Sequence, residues 1–398
     1  MLLEIIIPLL LGIIAGTITG LTPGVHINLV AVLLLTLSTK INLPIFSIVV
    51  FIISMATTHT FLDFIPSVFL GAPDPSTVLT VLPGHRYLIK GKGFEAVMLS
   101  IYGSITGLLL VIFLTPILLL VTPKFFTIIQ GAILAIIIGS VIFVISKEKS
   151  KLKALIIFLM AGCLGIAALN LNLKQSLFPL LSGLFGTSGL ILSLKQKTIL
   201  PKQKISYPKF SLKKSGKYLS SALAAGGLTG FLPGLGAAQA AIIGSSFFKK
   251  VKQSDFIFLT GAINTIVMII GLIALMAIDK TRNGAVVVIK KLMPTLSLPE
   301  FTVLIATSLI AGSISCLLAV FLAKKSSRII EKVNYKRLCL AIIIFITILA
   351  FLLSGFLGLL VLTVATFVGI LPSLIGVQKN NLMGCLLLPV ILFFIFAS

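Results

Sequence analysis

Long apolar stretches are the feature of this sequence that most constrains its fold. Residues 99–121 and 338–353 are typical examples, and a helix needs about 20 apolar residues to cross a bilayer. Only 10% of the residues are charged, against roughly 25% in a soluble domain. The sequence therefore excludes a water-soluble globular protein and predicts an all-α polytopic membrane protein with about ten crossings.

The basic residues indicate orientation rather than a nucleic-acid partner. The net charge is +23, but the 32 Lys and Arg lie in short breaks between apolar stretches, without aromatic interleaving. Cytoplasmic loops collect Lys and Arg. We therefore expect a multi-pass cell-membrane protein with 25 of the 32 basic residues in the cytoplasm. The assigned cytoplasmic breaks are 86–92, 147–153, 195–217, 249–252, 324–337 and Lys379. The loop at 279–291 is the weak point, since it places four basic residues outside.

The most basic break divides the chain into two halves of the same design. We interpret 195–217 as a cytoplasmic linker between a first transmembrane repeat, 1–194, and a second, 218–398. Residues 16–25 read GTITGLTPGV, and residues 226–235 read GGLTGFLPGL, at a constant offset of 210. This correspondence is the signature of an internal repeat.

Five further apolar blocks follow the Gly-Pro element in each half. Because five is an odd number, the second half begins on the opposite side of the membrane from the first. The predicted fold is therefore two inverted repeats, each a re-entrant Gly/Pro helical hairpin plus about five transmembrane helices. This architecture is typical of secondary transporters that work by alternating access.

The Gly-Pro elements predict a binding site. Gly and Pro break a helix, and lipid tolerates broken backbone only where it faces protein or a water-filled cavity. We expect two hairpin tips that meet near the middle of the membrane and present helix N-termini to an anion. The alternative is a pair of small-residue packing interfaces or ordinary proline kinks. The candidate substrate-binding residues are Thr19, Gly20, Thr22, Pro23, Gly24, His26 and Asn28, and then Thr229, Gly230, Pro233, Gly234, Gly236 and Gln239.

Ionisable residues within an apolar block predict an ion pathway. His59 and Asp63 are four residues apart, which places them on one helix face. The matching segment of the second half offers Asn264, which is polar but not ionisable. We expect these three residues to couple transport to Na+ or H+, with no other cofactor and no resident metal. The alternative is that Asp63 already lies near the membrane interface, since Pro66 soon ends the block.

A Gly/Pro-rich stretch after Pro66 is too irregular to cross the membrane. Ser76 and Thr77 follow Pro75, where a helix can begin, and we expect them to line the same site. Arg86 and Lys90 then supply counter-charge for an anion or a phosphate head group. The alternative is a cytoplasmic loop with ordinary turns.

These motifs resemble the large membrane permease of the tripartite tricarboxylate transporters (TctA type). Its members carry a Pro-Gly-Leu-Gly signature in each half, which is similar to 233–236 here and looser at 23–26. Their Pro-Gly-Thr-Pro stretch resembles 72–77, the Asp-Gly-Tyr-Pro motif that follows resembles 83–86, and the basic, Gly-containing turn after it resembles 90–93. The resemblance implies a transporter fold. Asp74 stands where the family has Thr, and its charge would disfavour a tricarboxylate.

The lead hypothesis is a secondary active transporter of a small carboxylate-type anion. The alternative is a translocase of an anionic lipid carrier such as polyprenyl phosphate, since similar hairpins occur in such families. An enzyme is disfavoured because the chain has no GxSxG, HExxH or P-loop pattern. The expected partners are a small anion or lipid phosphate and membrane lipids, with no nucleic acid. A homodimer is compatible with the sequence, which does not reveal whether an accessory binding protein exists.

Overall fold

The structure, a computed structural model, describes residues 3–23, 27, 30–31, 34–35, 43–72, 76–173, 175–195, 201–209, 211–231, 236–281, 283–331 and 334–396. Every regular element in these ranges is a helix. Eight of the described helices are long and apolar enough to cross a membrane. The all-α polytopic class predicted from the sequence is thereby confirmed.

The described helices of the first half range in length from five to 54 residues. They are α1 Leu3–Leu21, α2 Ile45–Leu62, α3 Phe64–Phe69, α4 Val81–Ile89, α5 Gly93–Ser146, α6 Lys151–Asn170, α7 Leu177–Leu181 and α8 Ser188–Lys195. A short 3-10 helix, Val78–Thr80, precedes α4, and a π-helix, Ser182–Thr187, joins α7 to α8.

Every regular element among the described residues of the second half is likewise a helix. Its helices are α9 Leu212–Phe231, α10 Ala237–Ser246, α11 Gln253–Ile278, α12 Gly284–Leu292, α13 Leu298–Ile330, α14 Tyr335–Ile375 and α15 Gly384–Phe396. A 3-10 helix, Lys379–Met383, precedes α15. Residues 201–209 of the predicted linker carry no helix, and α9 begins at Leu212.

Two helical ranges are too long for a single crossing. A straight α5 of 54 residues would be about 80 Å long. Its two ends nevertheless lie at the same end of the bundle, because Gly93 bonds Gln203 and Lys147, just past Ser146, bonds Phe248. The range therefore turns back on itself, with prolines near its middle. In α14 the break is at Gly355, which has the left-handed φ of 64°.

The basic breaks meet at one end of the bundle, which we call the basic end. Hydrogen bonds join residues in or beside all of them. From donor to acceptor, these bonds are Lys204 N to Gly91 O (2.8 Å), Gln203 N to Glu331 Oε1 (2.7 Å), Lys147 Nζ to Phe248 O (2.6 Å) and Asn381 Nδ2 to Glu148 Oε1 (2.8 Å). A shared face for these loops is what the charge pattern requires.

The repeated glycines pack in the same way in both halves. A Cβ on Gly16 would lie 2.5 Å from the Met55 carbonyl oxygen of α2. A Cβ on Gly226, 210 residues later, would lie 2.9 Å from the Ile266 side chain of α11. Each half therefore pairs its Gly-rich helix closely with the next long helix. This packing agrees with an internal repeat, while the inverted relation of the halves stays a prediction.

The helices α9 and α10, which flank the Gly-Pro element of the second half, form a helical hairpin. Ser221 of α9 donates its hydroxyl to the Gly244 carbonyl of α10 at 2.7 Å, so the two helices fold back on each other. The ten residues of α10 span about 15 Å, half the thickness of the hydrocarbon core. The length suits a re-entrant element, whose placement in the membrane stays a prediction.

Candidate functional site

The candidate site is centred on the buried carboxylate of Asp63. This residue lies at the junction of α2 and α3 and is 2% exposed. Its Oδ2 accepts hydrogen bonds from Ser76 Oγ at 2.9 Å and from Asn264 Nδ2 at 2.8 Å. His59 Nε2 lies 4.0 Å from the same oxygen. The structure thus brings together the first half, the second half and the Gly/Pro-rich stretch around one ionisable group.

The chain places Ser76 beside Asp63 through a local network. The Ser67 hydroxyl, in α3, lies 2.9 Å from the Asp63 carbonyl oxygen and 2.6 Å from the Thr77 hydroxyl. These contacts hold the stretch after α3 against the junction at Asp63. Ser76 therefore contacts the carboxylate directly, whereas Thr77 contacts Ser67, and the role of both residues in substrate binding stays a prediction.

His59 connects the site to the first Gly-Pro element. Its Nδ1 lies 3.1 Å from the hydroxyl of Thr19, close to the end of α1. The Thr19 hydroxyl is also within 3.2 Å of the Gly16 carbonyl oxygen. A neutral imidazole carries one donor and one acceptor nitrogen. If Thr19 donates its hydroxyl to Nδ1, the ring proton is on Nε2, and if Thr19 accepts, the proton is on Nδ1. His59 is 3% exposed, so the ring contacts protein groups rather than solvent.

Buried hydroxyls extend the site across the contact between the halves, and sequence reasoning missed two of them, those of Thr60 and Thr260. The Thr60 and Thr265 hydroxyls are 3.2 Å apart, and Thr80 donates to Thr260 at 3.0 Å. The only sequence signal is the TTHT run at 57–60 within an apolar block. That signal is weak, because a hydroxyl in a helix often bonds its own backbone.

The predicted residues of the second hairpin form bonds within the hairpin itself. Thr229 is fully buried and donates to the Ala225 carbonyl at 3.0 Å. Gln239 Oε1 accepts from the Gly236 amide at 2.9 Å and so caps α10. These bonds stabilise the hairpin, and the structure does not bring these side chains to Asp63.

The remaining predicted tip residues fall into three groups. Gly20 and Gly230 pack closely against Leu62 and Ile270, where an added Cβ would come within 2.8 and 2.6 Å. Thr22 and Pro23 follow the end of α1 and are partly exposed. Five predicted residues lie outside the described residues, namely Gly24, His26, Asn28, Pro233 and Gly234.

The predicted counter-charges lie away from the carboxylate. Arg86 in α4 and Lys90 just after it are exposed at the basic end. Neither has a contact with Asp63. Arg86 is instead close enough to Lys379 for the two charges to interact.

The ligand types around Asp63 fit a hard cation or a proton. Carboxylate, hydroxyl and amide oxygens are the donors that hard cations prefer. A buried carboxylate next to an imidazole can also gain and lose a proton during transport. No cluster of three His, Cys, Asp or Glu side chains occurs among the described residues.

Two crevices in the described part of the chain lie elsewhere. One, of about 410 Å3, is lined by apolar residues of α6 and α15 such as Ile166 and Phe393. The other, of about 360 Å3, is lined by α13 residues including Phe321 and Arg328. Neither contains a residue of the Asp63 cluster.

Comparison with known proteins decides the family. The model described as the tripartite tricarboxylate transporter TctA family matches residues 6–384. This chain belongs to the TctA family. A protein of Methanocaldococcus jannaschii, described as uncharacterized, is 33% identical over 401 residues, which cover 97% of this chain and 98% of the relative. No solved structure matches the chain.

TctA membership confirms the resemblance drawn from the Gly-Pro motifs. It supports a membrane transporter component and suggests that the chain is not an enzyme. The eight apolar helices and the transporter family fit a multi-pass membrane protein.

Proposed function

We propose that this TctA-family protein is a secondary active transporter of a small carboxylate-type anion, coupled to Na+ or H+ at Asp63. The observation that carries this proposal is the pair of bonds from Ser76 and Asn264 to the buried Asp63 carboxylate. A charge in the interior of a membrane protein is costly, and such charges commonly mark ion pathways. Na+ or H+ would neutralise this one.

The position of Asp63 between the two halves suits alternating access. Two residues of α11 contact the first half: Asn264 contacts Asp63, just after α2, and Thr265 contacts Thr60, within α2. Movement of one half relative to the other would break or remake these bonds. Since a ligand shifts an equilibrium through its different affinity for two states, an ion bound at Asp63 would favour one arrangement of the halves. We further propose that the two halves are inverted repeats whose re-entrant hairpin tips hold the substrate.

Uptake by the purified chain in proteoliposomes tests this function. We expect uptake of labelled di- or tricarboxylates to rise when a Na+ or pH gradient is imposed. Asp63→Asn keeps the shape of the side chain but removes the charge, so the gradient-stimulated part should fall at least tenfold. Asp279→Asn is the matched control, because Asp279 is exposed and pairs with Lys290 at 2.7 Å outside the site. Saturable uptake that does not change with either gradient would contradict the proposed coupling to Na+ or H+.

A binding measurement keeps the test independent of accessory proteins. If Na+ is the coupling ion, NaCl should raise the melting temperature of the wild-type chain above that in choline chloride, since a ligand of the folded state stabilises it. If H+ is the coupling ion, the difference in stability between wild type and Asp63→Asn should change with pH. A variant whose stability follows Na+ and pH as wild type does would contradict the role of Asp63. Translocation of a polyprenyl phosphate without carboxylate uptake would instead favour a lipid-carrier translocase.

A further inference from the structure

The side chain of Lys379 is a buried cation at the basic end, in the 3-10 helix before α15. It is only 8% exposed, so its ammonium does not reach freely into water. Among the described residues, its one hydrogen bond is to the Ser188 hydroxyl, at 3.0 Å. No carboxylate of the described residues pairs with it. A neutral hydroxyl offsets little of the cost of burying an ammonium group, which normally has an anionic partner.

Glu148, an acidic residue that contacts this 3-10 helix, is engaged elsewhere. Glu148 Oε1 accepts from the Gln378 amide at 3.0 Å and from Asn381 Nδ2 at 2.8 Å. Glu148 therefore holds the Gln378 backbone before Lys379 and the Asn381 side chain after it, without forming an ion pair with Lys379. The surrounding structure holds the ammonium in place and leaves its charge unneutralised.

A second cation lies nearby. Arg86, on α4, is close enough for its charge to act unfavourably on that of Lys379. The Arg86 guanidinium is exposed and forms no ion pair in the described part of the chain. Two like charges near each other, with no carboxylate of the described residues paired to either, provide a site for an anion from outside the chain. Arg and Lys together favour an oxyanion, because guanidinium and ammonium both donate charge-assisted hydrogen bonds.

The backbone around Ser188 carries an independent signal. The six residues before it, Ser182–Thr187, form a π-helix and are all buried. π-helical turns are rare and frequently occur at functional sites. At Gly189, an added Cβ would be 3.8 Å from Lys379 Nζ, which shows that this helix approaches the ammonium closely. The irregular turn thus directs a hydroxyl toward a buried cation.

We propose that Lys379, Arg86 and Ser188 bind a carboxylate or phosphate oxyanion at the basic end, at a site distinct from Asp63. Lys379 supplies the buried charge, Arg86 closes the exposed side, and the Ser188 hydroxyl orients the ammonium. The site faces the same end of the bundle as the basic breaks. It does not depend on the coupling role of Asp63.

Anion binding by the purified full-length chain tests this site. The probes are potassium citrate and potassium phosphate, compared with potassium chloride at equal ionic strength and without Na+. We expect at least one probe to raise the melting temperature of the wild-type chain. Affinity should fall at least tenfold in Lys379→Met and less in Arg86→Ala, whereas Lys379→Arg should retain part of it. Citrate and phosphate distinguish a carboxylate site from a phosphate site.

Lys153→Met is the matched control. Lys153 is exposed in the first turn of α6, beside the same basic end, so this variant makes the same change of charge. Without any probe, Lys379→Met should melt at or above the wild-type temperature, since it removes an unneutralised buried charge. Equal stabilisation of Lys379→Met and wild type, or no stabilisation of wild type by either probe, would overturn the proposal. Because the assay includes no gradient, a failed uptake experiment leaves this result standing.

Discussion

Asn264 of the second half donates its side-chain amide to the Asp63 carboxylate of the first half across 2.8 Å. Both residues are buried, at 6% and 2% exposure. In this arrangement water therefore has little access to the bond. The state of one ionisable group thus depends on the relative position of two parts of the chain that are 201 residues apart.

Removal of this amide should destabilise the protein. In Asn264→Ala the buried carboxylate loses a donor, which costs about 1–3 kcal/mol of unfolding free energy. In an Asp63→Asn background the same change should cost less, because the charge is gone. Denaturation of wild type, both single variants and the double variant in detergent gives the interaction energy, expected at about 0.5–3 kcal/mol. Strictly additive effects would show that the two side chains do not interact energetically.

Close glycine contacts predict a second effect on stability. A Cβ on Gly103 in α5 would lie 2.1 Å from the Phe258 carbonyl oxygen of α11, so Gly103→Ala must separate the two helices. We expect a loss of about 1–3 kcal/mol. Gly139→Ala is the control in the same helix, because nothing lies within 4 Å of its added Cβ. That control should be neutral or more stable by up to about 1 kcal/mol. Thermal unfolding that ranks the two variants alike would contradict this packing.

The partly buried His85 should make the stability of the protein depend on pH. Burial lowers the pKa of its imidazole to about 4, and a hydrogen bond with the Val68 backbone opposes this only in part. The unfolded chain has the ordinary value near 6.5 and so binds a proton first as pH falls. The contribution of neutral His85 is therefore fully present above about pH 6.5 and is lost as pH falls toward 4.

His85→Gln isolates this contribution from other titrating groups. The melting temperature of the wild type should fall more steeply than that of His85→Gln between pH 6.5 and pH 4. Above pH 7 the difference between the two proteins should no longer depend on pH. Parallel curves across the whole range would show that His85 does not remain neutral in the folded protein.

The sequence predicts the parts of this architecture that depend on local pattern. Apolar length predicts the membrane-spanning helices, and a spacing of four predicts that His59 and Asp63 share a helix face. Contacts between distant segments follow from packing, which no local pattern specifies. Thr58 thus accepts from Ser315 at 2.9 Å, although the two are 257 residues apart. The sequence likewise does not predict that Lys379 is buried, because a lysine beside an apolar block ordinarily reaches toward water.

The shared face of the basic breaks predicts the orientation of the chain. Because positively charged loops stay in the cytoplasm, Lys149 and Lys204 should lie inside the cell and Lys280 outside. In a variant whose four cysteines are replaced by Ala, Lys280→Cys should react with an impermeant maleimide in intact cells. Lys149→Cys and Lys204→Cys should react only after permeabilisation. Labelling of those two from opposite sides would contradict the common basic end, and labelling of all three with the reverse pattern would invert the proposed topology.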